Sequence, residues 1–241
     1  MSTLLLFDID GTLVLTGGAG GRAMASAARD LFALDDAVGS ISMAGRTDAW
    51  IVSQMCEQRQ VEYSDALLER FRERYLSYLA TEIHKPGPRK GVLPGVPQLL
   101  ERLRQFDDVH VGLLTGNFED GARLKLEYFD LWHWFSGGAF GDASHNRNHL
   151  LDVARQRIRS AGGPDAAPDD VFIIGDTPLD IAVAVAGGTR SLGVATGDYS
   201  TEELTASGAD VALSDLSDLD AALAGLGLAS PNGAARAGRA C

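Results

Sequence analysis

Two aspartates two residues apart stand at the end of the first apolar run of this chain. Asp8-Ile9-Asp10-Gly11-Thr12 follows Leu-Leu-Leu-Phe at residues 4–7. On an extended backbone alternate side chains share a face, so Asp8 and Asp10 point the same way. Two close carboxylates repel, and a cation or a shared proton is needed to keep them together. With Mg²⁺ beside them, one carboxylate can attack phosphorus while the other carries a proton. Gly11 permits a sharp turn. Asp10-Gly11 by itself reads as a plain turn, but the DxDGT string on a buried first strand favours the chemical reading.

Two further strings carry similar chemistry. Leu113-Leu114-Thr115-Gly116-Asn117 places a hydroxyl and backbone N–H groups just after an apolar run, which suits phosphate oxygens. It also suits an ordinary turn with a helix cap, and Asn117 reads either as a substrate contact or as that cap. Gly175-Asp176-Thr177-Pro178-Leu179-Asp180 carries a proline fit for the first turn of a helix. Asp176 and Asp180, four apart, can both face a site from that helix start. Oxygen ligands with positions left for water and phosphate are what Mg²⁺ prefers. A capping aspartate with a surface acid would explain Asp176 but not Asp180. The one basic candidate nearby is Arg147, in Ser144-His145-Asn146-Arg147-Asn148; on position alone it reads as a solvated residue before a helix.

The elements that would hold these residues follow from hydrophobic pattern. The continuous apolar run at 4–7, and similar segments at 109–114, 171–174 and 192–195 with a weaker one at 211–213, read as strands of a sheet buried on both faces. Amphipathic helical patterns at 96–106, 121–128, 148–160 and 179–186 lie between them. Strand and helix in alternation mean an α/β fold with a parallel sheet. In such a sheet ligands bind beyond the C-terminal ends of the strands, where Asp8, Thr115 and Asp176 lie. Between the first and second strands the pattern is helical only, with helices expected at 23–32, 48–58 and 65–79. Breaker-rich segments flank it, Gly17-Gly18-Ala19-Gly20-Gly21 and Lys85-Pro86-Gly87-Pro88. The expected organisation is an α/β core from 1–16 and 86–228, an inserted all-helical cap from 17–85, and a disordered Ala/Gly/Arg tail from 229–241.

In this order and on these elements, DIDGT, LLTGN, the Arg147 segment and GDTPLD resemble the four motifs of the haloacid dehalogenase superfamily. The insertion resembles the helical cap of its phosphoglycolate phosphatase-like and β-phosphoglucomutase-like branches. The resemblance covers residues 4–195 and implies a Rossmann-like core and an aspartyl-phosphate intermediate. It assigns Asp8 as nucleophile and Mg²⁺ ligand. Asp10 becomes the acid and then the base, with its backbone carbonyl on Mg²⁺. Thr115 and the Gly116 N–H become phosphoryl contacts, Asp176 a metal ligand, and Asp180 a support of that metal site. Arg147 falls where the family usually has lysine and would neutralise phosphate and hold Asp8. Dehalogenases of the superfamily lack the second acid, so Asp10 points to phosphoryl transfer.

The expectation is a cytoplasmic, Mg²⁺-dependent phosphatase of a small phosphorylated metabolite, phosphoglycolate-like or a sugar phosphate, working as a monomer or homodimer. The alternatives are a β-phosphoglucomutase-like phosphomutase and a non-catalytic phospho-ligand-binding protein. A phosphonatase would need a cap lysine, and residues 17–83 contain none. The glycine run lacks the GK[ST] ending of a Walker loop and reads as a flexible entry to the cap. In the cap, Arg46 of Ala44-Gly45-Arg46-Thr47-Asp48 either reaches a substrate carboxylate or second phosphate, or is a surface arginine. The formal net charge of −12 argues against nucleic acid or an anionic membrane surface as partner. It also requires that the field be reversed locally before an anionic substrate can bind. Cys56 and Cys241, the only cysteines, make no disulfide framework. No run is long enough to span a bilayer and no signal-peptide pattern precedes Asp8.

Overall fold

The structure, a computed structural model, describes residues 2–33 and 41–228. The expected tail at 229–241 lies outside the described residues.

The first apolar run forms β1 (Thr3–Phe7), with all five residues buried. It pairs in parallel with β4 (Val109–Leu114) on one side and with β6 (Val171–Gly175) on the other. With β5 (Gly138–Ala139), β7 (Arg190–Val194) and β8 (Val211–Leu213) it makes a six-stranded parallel sheet, ordered β5-β4-β1-β6-β7-β8. The chain winds outward from β1 to β5, then returns to β6 and winds the other way. That reversal opens a crevice at the C-terminal ends of β4, β1 and β6.

The alternation along β1 shows why both of its faces must be apolar. Leu4 and Leu6 pack with Leu150, Ala154 and Ile158 of α6 (Leu150–Ser160) and with Val183 and Ala184 of α7 (Pro178–Gly187). Leu5 and Phe7 face the opposite layer, with Leu99, Leu100 and Leu103 of α4 (Val96–Leu103) and Ala122 and Leu126 of α5 (Glu119–Tyr128). Each buried leucine contributes about 1.5–3 kcal/mol, so the strand that carries the paired aspartates is held from both layers.

The insertion is helical, as its pattern predicts. It comprises α1 (Ala19–Phe32), α2 (Asp48–Arg59) and α3 (Asp65–Glu82), packed around Phe71, Tyr75 and Leu79 of α3. The core residue Phe118 joins that cluster, so the cap rests on the start of α5. The glycine run differs from its expected form. Only Gly17 and Gly18 lie outside the helix, both in left-handed conformation, while Gly20 and Gly21 belong to the first turn of α1. Two features too short to show a periodicity also appear: β2 (Val14–Leu15) and β3 (Gly91–Val92) pair antiparallel and tie the two cap connections together. Helices α8 (Thr201–Ala206) and α9 (Leu219–Gly225) complete the layers. No helix among the described residues is long and apolar enough to cross a membrane.

Candidate active site

Asp8, Thr115 and Asp176 follow directly on β1, β4 and β6, and the pairing of those strands brings them together. All three are buried, and all line one cavity of about 470 Å³ between core and cap. Asp10 lines it too, with a carboxylate two-fifths exposed. β1 ends at Phe7, and the chain runs on to an isolated bridge between Asp10 and Val14. It turns at Gly11, whose φ of 86° and close approach to Asp176 both exclude a side chain: a Cβ there would lie 2.3 Å from Asp176 Oδ2. Thr12 Oγ1 donates to Asp176 Oδ1 at 3.3 Å.

Arg147 is buried rather than solvated. It sits in a 3₁₀ turn, Arg147–His149, that leads into α6. Its Nη2 lies 2.9 Å from Asp8 Oδ1 and 2.5 Å from Asp180 Oδ1, and its Nη1 donates to the Gly45 carbonyl of the cap at 3.0 Å. Its neighbours hold the guanidinium charged: burial opposes the charge, but Asp180 and Asp8 outweigh it and raise the pKa.

Asp180 faces inward because it closes a capping box at the start of α7. Its Oδ2 accepts from Thr177 N at 3.1 Å and from Thr177 Oγ1 at 2.7 Å. Both of its oxygens are thus engaged by protein donors.

Asp8, Asp176 and Asp180 each offer an oxygen within 4.8 Å of the others. Three buried carboxylates against one guanidinium leave an excess of negative charge. Burial, less the pull of Arg147, pushes Asp8 up to about 6. Burial together with the fields of Asp180 and Asp8 pushes Asp176 up to about 9. A hard divalent cation with oxygen ligands fits this donor set and would relieve that excess.

The motif after β4 is built by the cap as much as by the core. Asp48 N donates to the Gly116 carbonyl at 2.7 Å, and Asp48 Oδ2 accepts from Phe118 N at 2.8 Å. Thr47 Oγ1 donates to the His145 carbonyl at 3.2 Å. Gly116 is required here, because a Cβ would sit 2.0 Å from the Arg46 carbonyl. Burial pushes the Asp48 carboxyl up to about 7, against the pull of Lys125.

Asn117 does not cap α5. Asp48 and Asp142 accept the N–H groups of Phe118 and Glu119 instead. The Asn117 amide donates to Asp10 Oδ2 at 2.9 Å and to Thr115 Oγ1 at 2.8 Å. Arg46 lies at the exposed mouth of the cavity, its guanidinium 4.4 Å from the centre of the Trp50 ring.

Lys125, which lines the cavity, was not among the expected site residues. Lys125 of α5, with a side chain 4% exposed, donates to Asp10 Oδ2 and to Asn117 Oδ1, both at 2.6 Å. Burial opposes its charge, yet Asp10, Tyr75 and Asp48 outweigh that and hold its pKa above the usual lysine range. The sequence does carry a signal. Gly121, Ala122, Lys125 and Leu126 share the buried face of α5, where a lysine needs a partner.

The comparisons with known proteins agree with this architecture. The family model described as haloacid dehalogenase-like hydrolase matches residues 5–184. A phosphoglycolate phosphatase of Agrobacterium fabrum is 26% identical over 231 residues, covering 92% of this chain and 93% of that protein. Among solved structures, a hydrolase from Pseudomonas syringae superposes with a TM-score of 0.71 at 23% identity, covering 95% of this chain and 100% of the other. A β-phosphoglucomutase from Clostridium difficile superposes with a TM-score of 0.70 at 17% identity, covering 94% and 98%. Both structures show a shared fold.

Proposed function

The chain belongs to the haloacid dehalogenase-like hydrolase family, and from that premise we propose that it is a Mg²⁺-dependent phosphatase of a small phosphate monoester. The observation that carries this reading is the meeting, in one cavity, of Asp8 paired with Arg147, Asp10 as a second carboxylate, and Thr115. A phosphoglycolate-like substrate is favoured by the relative from Agrobacterium fabrum.

In this reading Asp8 and Asp176 hold the metal, with the Asp10 carbonyl, and Asp180 supports them through Arg147 and Thr177. When bound, Mg²⁺ supplies charge neutralisation at the phosphoryl oxygens. An Asp8 oxygen forms a bond to phosphorus as the ester P–O bond breaks, and the leaving oxygen takes a proton from Asp10. Water then attacks the aspartyl phosphate and gives a proton to Asp10, and the bond from phosphorus to Asp8 breaks. Arg147 orients Asp8 by one oxygen, and Thr115 and Gly116 steady the phosphoryl group. The cap excludes bulk water.

Schiff-base chemistry of the phosphonatase kind needs a neutral amine. Lys125 lines the cavity, but Asp10 keeps it as an ammonium.

The test is phosphate release from a panel of phosphoglycolate, sugar phosphates and nucleoside monophosphates, with Mg²⁺ and with chelator. Release that requires Mg²⁺ and favours one ester is expected, as is its loss in Asp8→Asn with the circular dichroism unchanged. Full turnover by Asp8→Asn would overturn the mechanism. Isomerisation of a sugar phosphate without release would move the assignment to a phosphomutase.

A further inference from the structure

A lysine buried to 4% exposure is costly unless its ammonium is paired. Lys125 finds its pairing at Asp10, whose carboxylate is two-fifths exposed. Both Lys125 Nζ and Asn117 Nδ2 fall on the same oxygen, Asp10 Oδ2. Among the described residues, that leaves Oδ1 as the oxygen free to meet a reacting group. Asn117 is itself fixed, because its Oδ1 accepts from Lys125 and its Nδ2 donates to Thr115. Lys125, Asn117 and Asp10 therefore close a ring of three hydrogen bonds, with Lys125 as its rigid corner on α5.

The surroundings keep that corner in place. The Tyr75 ring of the cap packs against Phe118 at 5.9 Å between centres, and it approaches α5 closely because position 121 is glycine. A Cβ at Gly20 of the cap would come within 3.3 Å of Lys125 Nζ, so the first turn of α1 also closes over the ammonium. A carboxylate two-fifths exposed would otherwise rotate freely. A misplacement of about 1 Å in a reacting group costs on the order of 100-fold in rate.

We propose that Lys125 is a positioning residue for the hydrolytic half of the reaction: it tethers Asp10 by Oδ2, so that Oδ1 is aimed to take the proton of the attacking water. The assignment rests on the phosphatase reading above. The step it serves is balanced. Water oxygen bonds to phosphorus, its proton passes to Asp10 Oδ1, and the phosphorus–oxygen bond to Asp8 breaks, releasing phosphate and the Asp8 carboxylate.

The probe is p-nitrophenyl phosphate with Mg²⁺, because p-nitrophenolate leaves without needing a proton. Formation of the phosphoenzyme, read by kcat/KM, then needs no acid, whereas its hydrolysis, read by kcat, still needs the base. Lys125→Met is expected to lower kcat about 100-fold while kcat/KM stays within about threefold, so that KM falls in parallel. A burst of one p-nitrophenolate per enzyme should accompany it. Lys125→Arg, which keeps a charged donor, should restore most of kcat. Should the methionine variant not fold, Lys125→Gln, one bond too short to reach Asp10, carries the same comparison and expects the same split. An equal fall in kcat and kcat/KM without a burst would reduce Lys125 to a structural residue, and an unchanged kcat would overturn the proposal outright. Asp10→Asn is the control and should show the same split. If it kept wild-type kcat, the acid–base reading itself would fail, a result distinct from any failure at Lys125.

Discussion

Loading the metal-free protein with Mg²⁺ at pH 7 should release about one proton per ion. The Asp176 carboxyl stands at about 9 because it is buried beside Asp180 and Asp8, and Asp8 stands at about 6 because it is buried, with Arg147 opposing. At pH 7 the first is then ~99% protonated and the second ~10%. A carboxylate must be ionised to hold a metal, so binding expels ~1.1 protons. The number should fall to ~0.1 at pH 10, and the apparent affinity should rise about tenfold per pH unit between pH 6 and 9.

The sign for stability follows from the same shifts. Each acid is raised in the folded state, so the metal-free fold holds a proton that the unfolded chain loses near pH 4. Stability from these groups is fullest at low pH and is lost as pH rises toward 9. Between pH 6 and 8 Asp176 alone removes roughly 2.7 kcal/mol. Isothermal calorimetry of Mg²⁺ binding, in phosphate-free buffers of different ionisation enthalpy, counts the protons directly. A slope near zero at pH 7 would refute the reasoning, since it would mean that Arg147 already keeps both carboxylates ionised.

Two further expectations concern the contact between cap and core. Gly116→Ala forces a methyl toward the Arg46 carbonyl 2.0 Å away. It should cost about 1–3 kcal/mol in thermal melts and lower phosphate release more than Ala substitutions on the outer face of α5. Asp48→Asn keeps an acceptor for Phe118 N but removes an acid pushed up to about 7 by burial. Wild-type stability from Asp48 is lost as pH rises from 4 through 7, by up to about 4 kcal/mol. The variant should therefore gain on wild type between pH 5 and pH 8, and an equal difference at both pH values would contradict the burial argument.

What the sequence made legible, and what it hid, follows the range of each signal. Asp8, Thr115 and Asp176 each follow a largely apolar segment, so a local pattern places them at one sheet edge. Asp180 was expected to face the site from its spacing to Asp176, but the cause is its capping box with Thr177. Arg147 gave no local sign of burial. Its partner Asp180 lies 33 residues away; the need for a cation made it a candidate, and the motif resemblance gave it a role. Lys125 is the clearest omission. Its partner Asp10 is 115 residues distant, so nothing nearby in sequence neutralises it. A charged residue on an amphipathic helix reads as solvated unless its position on the apolar face is weighed. The strands β2, β3 and β5 have two residues each, too few to carry an alternation.

An anionic substrate must enter a cavity whose two buried cations are already matched. Arg147 is bound to Asp8 and Asp180, and Lys125 to Asp10. Neither is spare for a phosphate dianion, and the exposed Arg46 sits at the mouth over Trp50. The carboxylates around the phosphoryl position outnumber these cations, so inorganic phosphate should bind weakly to the metal-free protein. Two unit charges at ~4 Å attract by about 4 kcal/mol at an effective dielectric near 20, and a dication facing a dianion multiplies that term while repulsion from the Asp8 carboxylate is offset. Even after desolvation, Mg²⁺ should tighten phosphate binding by at least about 100-fold, or ~2.7 kcal/mol. Calorimetric titration with inorganic phosphate, in Mg²⁺ and in chelator, measures the difference. Equal affinities in the two conditions would mean that Arg147 and Lys125 supply the attraction themselves, and that their ion pairs open when phosphate arrives.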